Sequence, residues 1–220
     1  MKDRTSPALF GAVIYDGVEP IDIGGTVGVI SMAKRVLSAI ESITIAEKAG
    51  PVTLAGGLTV IAQAGFSDAP RCDVLIVCGG PGWRRETTNP AMLGFLRSRP
   101  SPQVTSVCTG AMILGAAGVL DGRIATTRRS AVGSEVQSPL AEFSSLAPSV
   151  QGRPAAIVED SGVVTGGGVS LAIDATLYLI GKLYGDAAQA DVARAIEYDR
   201  AYEANRIALG HVLAERGTRL

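Results

Sequence analysis

Val104-Thr105-Ser106-Val107-Cys108-Thr109-Gly110-Ala111-Met112-Ile113-Leu114-Gly115 begins as an apolar strand pattern, breaks at a cysteine and resumes at once as a helix pattern. The break puts Cys108 at a strand-to-helix corner. In an open α/β sheet such corners line the crevice at the carboxyl ends of the strands, where ligands bind. The helix N-terminus behind the corner favours negative charge, which predicts a reactive thiolate at Cys108. The turn is related to the nucleophile elbow of hydrolases without the full G-x-S-x-G pattern, because Gly110 supplies the second glycine and Ser106 stands where the first would be.

Outward from this corner, apolar runs of strand length alternate with longer amphipathic segments. Strands are predicted over Ala8 to Tyr15, Ile43 to Ala46, Asp73 to Cys78, Gln103 to Val107 and Val163 to Thr165. Several are apolar on both faces, as a buried parallel sheet requires. Helices are predicted over Glu86 to Ser98, Thr109 to Ala117, Ala131 to Phe143 and Val169 to Tyr184. The alternation implies an α/β sandwich with a mostly parallel central sheet. Val52 to Leu54, Gly56-Gly57 and Leu58 to Ile61 form one hairpin signal; Ala156 to Val158, with Asp160-Ser161-Gly162 leading into Val163, forms another. The segment 186–211 reads as a C-terminal helical extension that packs along the domain or on a second subunit, and Glu215 to Leu220 as a solvated end.

The chain has 220 residues and 47% hydrophobic side chains, enough for one sizeable core and a single domain, 1–220. Its net charge of −1 leaves no basic field for nucleic acid. Only a short apolar run follows Met1-Lys2-Asp3-Arg4-Thr5-Ser6-Pro7, so neither a signal peptide nor a membrane span is expected, which implies a cytoplasmic protein. Cys72, Cys78 and Cys108 are the three cysteines and His211 is the one histidine, so neither a disulfide framework nor a metal site is expected. Cys72 and Cys78 read as buried, inert thiols, and His211 as a surface helix residue. A mean hydropathy of +0.29, with Ile196, Tyr198 and Tyr202 on the C-terminal segment, suggests a homodimer.

Three further features converge on Cys108. Val77-Cys78-Gly79-Gly80-Pro81-Gly82-Trp83 runs from a strand into a glycine turn; its N–H groups either meet an anion or the glycines only let the chain reverse. It is not a phosphate loop, since G-x-x-x-x-G-K-[ST] is absent. Trp83 either lines a pocket or covers the turn. Asp16 to Gly25 carries three carboxylates, and Asp22, between Ile21 and Ile23, is either a helix N-cap or a carboxyl held for proton transfer. Val163-Val164-Thr165-Gly166-Gly167-Gly168-Val169 again ends a strand in glycines, for a ligand or for close backbone packing.

Asp22, Gly79-Gly80-Pro81-Gly82, Ser106-Val107-Cys108-Thr109-Gly110, Ala125-Thr126-Thr127 and Thr165-Gly166-Gly167-Gly168 occur in the order and spacing of the ThiJ/PfpI superfamily, and most resemble its isocyanide hydratase branch. The resemblance, over roughly Leu9 to Tyr184, implies a flavodoxin-like three-layer sandwich and a hydratase that turns an isonitrile into an N-substituted formamide without a cofactor. It implies Cys108 as nucleophile, Asp22 as its hydrogen-bonded acid–base partner and Thr109 as a residue shaping the site. Backbone N–H groups of Gly80 and Thr109 would stabilise a developing anion. Ile23, Gly79, Trp83, Thr127, Arg128, Gly167 and Gly168 would line the pocket. The chain departs from the branch where histidine and an aromatic residue commonly follow Ala125-Thr126-Thr127, since Arg128 and Arg129 stand there. A glyoxalase or deglycase acting on α-oxoaldehydes, and a non-catalytic ligand or redox sensor, are the competing functions.

Overall fold

The computed structural model describes residues 1–100 and 103–214. Twelve strands occur among these residues: β1 Ala8–Val13, β2 Ile40–Ala46, β3 Gly50–Thr53, β4 Thr59–Ala62, β5 Ala64–Gly65, β6 Val74–Val77, β7 Val104–Ser106, β8 Ile124–Ala125, β9 Gln151–Gly152, β10 Ile157–Asp160, β11 Val163–Gly166 and β12 His211–Ala214. The α-helices are α1 Pro20–Ile23, α2 Val29–Ala33, α3 Trp83–Glu86, α4 Pro90–Arg97, α5 Gly110–Ala116, α6 Pro139–Leu146, α7 Ala172–Tyr184, α8 Asp186–Ala195 and α9 Asp199–Leu209. A π-type turn, Gly24–Gly28, joins α1 to α2.

The main sheet has the order β12-β10-β11-β7-β6-β1-β2-β5, and every neighbouring pair is parallel except β10 and β11. Its middle strand β6 is buried at all four positions, which is why Val74 to Val77 carries no polar residue. One helical layer packs α1, α2, α7 and α8 together, and the other packs α3, α4 and α6 around α5. The architecture is thus the three-layer sandwich with a mostly parallel sheet. Both expected hairpins form, β3 with β4 around Gly56-Gly57 and β10 with β11 around Ser161-Gly162.

Six expectations need correction. The helix expected over Glu86 to Ser98 is two, because Asn89 Oδ1 accepts the Ala91 N–H at 3.0 Å and Pro90 opens a new first turn. The helix expected from Ala131 begins only at Pro139, capped by Ser138, and leaves an open loop before it. The helix expected from Val169 begins at Ala172. The C-terminal segment is two helices, broken where Glu197 takes a φ of 54°, and it ends in a strand. His211 is therefore not a surface helix residue: it starts β12, half-buried, pairing in parallel with the free edge of β10. Ile196, Tyr198 and Tyr202, expected to seek a second subunit, pack against this chain's own core, and Tyr198 donates its hydroxyl to the buried Asp174 carboxyl at 3.0 Å. Glu215 to Leu220 lie outside the described residues. Among the described residues no helix is long and apolar enough to cross a membrane.

The arrangement gathers the sequence motifs at one end. β1, β6, β7 and β11 run parallel, so the loop to α1, the Gly79–Gly82 turn, the Cys108 elbow and the Gly166–Gly168 turn all emerge at the carboxyl edge of adjacent strands.

Candidate active site

Cys108 sits between β7 and α5 with a φ of 51°, a left-handed conformation that costs a non-glycine residue about 1 kcal/mol or more. Its backbone is clamped on both sides. The Cys108 N–H is shared between Gly166 O at 3.2 Å and Gly167 O at 3.1 Å, and Thr127 Oγ1 donates to Cys108 O at 2.7 Å. The left-handed turn lets α5 start two residues after a side chain that faces back across the strand ends. That side chain is only 3% exposed.

Asp22 is fully buried in the first turn of α1. It is not the N-cap, a position taken by Glu19. Asp22 Oδ2 accepts the Gly79 N–H at 2.7 Å, and Oδ1 is buried with no hydrogen-bond partner among the described residues; the Cys108 thiol lies close enough to this carboxyl to feel its charge. Burial, opposed by the Gly79 hydrogen bond, pushes the Asp22 carboxyl up to about 7. Burial first, and then the charge of Asp22, pushes the Cys108 thiol up as well, against the weaker pull of the Thr109 N–H and the Arg128 charge. Desolvation thus opposes the thiolate that the helix N-terminus favours.

Gly79 permits the close approach, since a Cβ there would stand 2.5 Å from Thr109 N and 2.9 Å from Asp22 Oδ2. The expected donor at Gly80 is not open. Its N–H is held by Thr109 Oγ1 at 2.9 Å, so this turn joins elbow to turn instead of facing an anion, while the Thr109 N–H is turned to the Cys108 sulfur. Gly168 packs against both sulfur and Arg128, its notional Cβ lying 2.9 Å from Cys108 Sγ and 2.8 Å from Arg128 Cβ. Gly167 N–H is spent on Ala156 O.

Cys108, Asp22, Thr109, Gly79, Gly80, Thr127, Arg128, Gly167 and Gly168 are thus brought together. Two pocket residues are not: Ile23 packs on the core, and buried Trp83 covers the glycine turn, its backbone N–H donating to Gly80 O and its ring carrying the Arg84 guanidinium 4.3 Å from the centroid. Tyr15 and Thr26 were not singled out by sequence. Tyr15 is buried, donates its hydroxyl to Cys78 O at 3.0 Å and senses the charges of Asp22 and Cys108. Thr26 donates to Asp22 O at 2.9 Å, and its spacing of four residues from Asp22 on one helix face was the available signal. No group of His, Cys, Asp and Glu among the described residues is arranged to hold a metal ion.

The profile of the DJ-1/PfpI family matches residues 11–182, the segment that contains every one of these side chains. The chain belongs to the DJ-1/PfpI family. The isonitrile hydratase of Pseudomonas putida is 32% identical over 184 residues, which span 81% of this chain and 74% of that protein. A crystal structure of a ThiJ/PfpI family protein from Pseudomonas syringae superposes with a TM-score of 0.74 at 26% identity, covering 89% of this chain and 76% of that one. The HTH-type transcriptional regulator GbdR of Pseudomonas aeruginosa is 27% identical over 223 residues; the match takes in 98% of this chain but 58% of the regulator.

Proposed function

We propose that this DJ-1/PfpI protein is a cofactor-independent hydratase that converts an isonitrile to an N-substituted formamide through a thioimidate on Cys108. The observation that carries the reading is the buried Asp22 carboxyl beside the thiol, poised near neutrality to take a proton and return it. Similarity to an isonitrile hydratase supports the choice of electrophile.

In the mechanism, ionised Asp22 accepts the Cys108 proton as sulfur bonds to the terminal isonitrile carbon. Charge then develops on carbon, and Asp22 returns the proton there, leaving R–N=CH–S–Cys108. Water adds to that carbon with Asp22 taking its proton; nitrogen is protonated, the C–S bond breaks, and R–NH–CHO leaves with Cys108 restored as a thiol. The first step needs a proton delivered to carbon and not an oxyanion hole, which fits a Gly80 N–H already committed to Thr109.

Within this proposal the chain acts in the cytoplasm as a homodimer of single domains, with 186–211 as an extension. Formamide production from an alkyl isonitrile, lost in Cys108→Ala, tests the reading. Turnover of methylglyoxal in its place would assign the α-oxoaldehyde activity.

A second reading has one observation in its favour. The match to the regulator GbdR spans nearly the whole chain, including α8, α9 and β12, and so supports a ligand-sensing domain. Saturable binding of an isonitrile with no turnover of it or of methylglyoxal would select that reading.

A further inference from the structure

Arg128 stands where an apolar isonitrile has no use for it. Its side chain is 11% exposed, and its Cβ and Cys108 Sγ both pack against Gly168, 2.8 Å and 2.9 Å from the place a Cβ would take there. Its backbone is fixed from both sides, by Thr127 on Cys108 O and by the Leu140 N–H on Arg128 O at 3.2 Å. The guanidinium gives one N–H to Ser130 O and one to Glu135 Oε1, each at 2.5 Å, which leaves three of its five donors without a partner among the described residues. Taking a guanidinium out of water is costly unless a well-placed anion answers it. The anion answering it here comes from the open loop before α6. Glu135 lies on that loop, 21% exposed, its second oxygen taken by the Val132 N–H. The other charges facing the pair are Asp22 and the Arg84 guanidinium, itself held by Glu142. Arg129, next in sequence, is exposed.

We infer that Arg128 is an anion-recognition residue and that the substrate is a small electrophile bearing a carboxylate, which takes the place of Glu135 in the guanidinium fork while its electrophilic carbon reaches Cys108. A planar fork matched to two carboxylate oxygens fixes orientation as well as charge. The inference deepens the hydratase reading and rests on its nucleophile; under that reading the substrate is an isocyano carboxylate.

Iodoacetate and iodoacetamide differ by a carboxylate for an amide, and with either reagent an S–C bond forms at Cys108 as the C–I bond breaks, iodide leaves and the thiol proton passes to Asp22. The rate ratio of iodoacetate to iodoacetamide, read at Cys108 by peptide mass spectrometry, cancels changes in thiol reactivity. The expected result is a ratio about tenfold or more lower in Arg128→Met than in the unaltered protein, intermediate in Arg128→Lys, raised in Glu135→Gln and unchanged in Arg129→Met. A ratio that Arg128→Lys and Glu135→Gln both leave unchanged overturns the carboxylate assignment and leaves the hydratase reading intact. A Cys108 inert to both reagents overturns the nucleophile itself, and the inference with it.

Discussion

Gly80 donates its N–H to Thr109 Oγ1 at 2.9 Å, while the neighbouring Gly79 N–H goes to Asp22 at 2.7 Å. The turn after β6 is thereby a brace: it holds the acid with one amide and the elbow with the next, and fixes their separation. Thr109→Val keeps the shape but leaves a buried N–H unpaired, so it should lower unfolding free energy by about 1–3 kcal/mol and loosen the acid–thiol geometry. Chemical denaturation together with initial rates checks this, with Thr109→Ser recovering both. Full stability in Thr109→Val would mean that water replaces the hydroxyl at no cost.

Cys108→Ala should fold normally and lose essentially all turnover, whereas Cys72→Ala should retain it. Cys72 lies at the opposite end of β6, its thiol raised by burial and in reach of Pro70 O at 3.6 Å. Rates on an isonitrile with purified variants of matched circular dichroism decide the matter. Equal activity in Cys108→Ala would overturn Cys108 as the nucleophile.

The sheet, both hairpins and the elbow were legible because period and turn chemistry are local signals: Val74 to Val77 has no polar residue, and Cys108 interrupts an apolar run. Asp22 was legible as a carboxyl among apolar neighbours, but its role depends on Gly79, more than fifty residues away, and no local pattern carries that. The desolvation of the Cys108 thiol was illegible for a related reason. A helix N-terminus shows in sequence, but the burial that opposes it is produced by Gly79 and Gly168 letting other segments close over the sulfur. His211 was misplaced because β12 has no strong pattern of its own and forms by docking on the free edge of β10.

Asp22 must be ionised to accept the thiol proton, so kcat/KM should rise with pH through an apparent pKa of about 7, set by burial. Asp22→Asn should remove that limb and lower the rate by about 10²-fold or more. Its stability should move the other way. The folded pKa of about 7 lies above the ordinary 3.8, so the contribution of Asp22 to stability is present below pH 3.8 and lost as pH rises through 7. At pH 8 the asparagine variant should therefore melt higher than the parent. A lower melting temperature at pH 8 would contradict the burial argument.

Asp174 gives a second pH test far from the elbow. It is fully buried on α7 beneath α9, where Tyr198 and Asn205 donate to it, and burial still pushes it up to about 6. Its stabilising contribution is present below pH 3.8 and lost as pH rises through 6. Asp174→Asn should raise the melting temperature at pH 8 by about 2–4 °C for each kcal/mol relieved, and the gain should vanish by pH 4. A gain that persists at pH 4 would show that the hydrogen-bond pattern, and not the charge, was responsible.

His211 separates the Asp22 mechanism from any that needs an imidazole base. It is level with the elbow in the sheet, since His211 pairs with Ile157, Ile157 with Gly166, and the preceding Thr165 with Ser106. That row places it three strands from β7, roughly 14 Å at ordinary strand spacing. Its ring packs edge-on to Tyr178 and Tyr202, its Nε2 is buried without a partner among the described residues, and burial pushes its pKa down, which suits a packing group better than a base. His211→Ala should cost about 1–2 kcal/mol of stability through the two aromatic contacts. Its kcat/KM should stay within a few fold, below about 1 kcal/mol in transition-state terms. A loss of about 10³-fold with the fold intact would mean that the imidazole reaches a Cys108 other than the one across its own sheet, and a Cys-His mechanism would then replace the one built on Asp22.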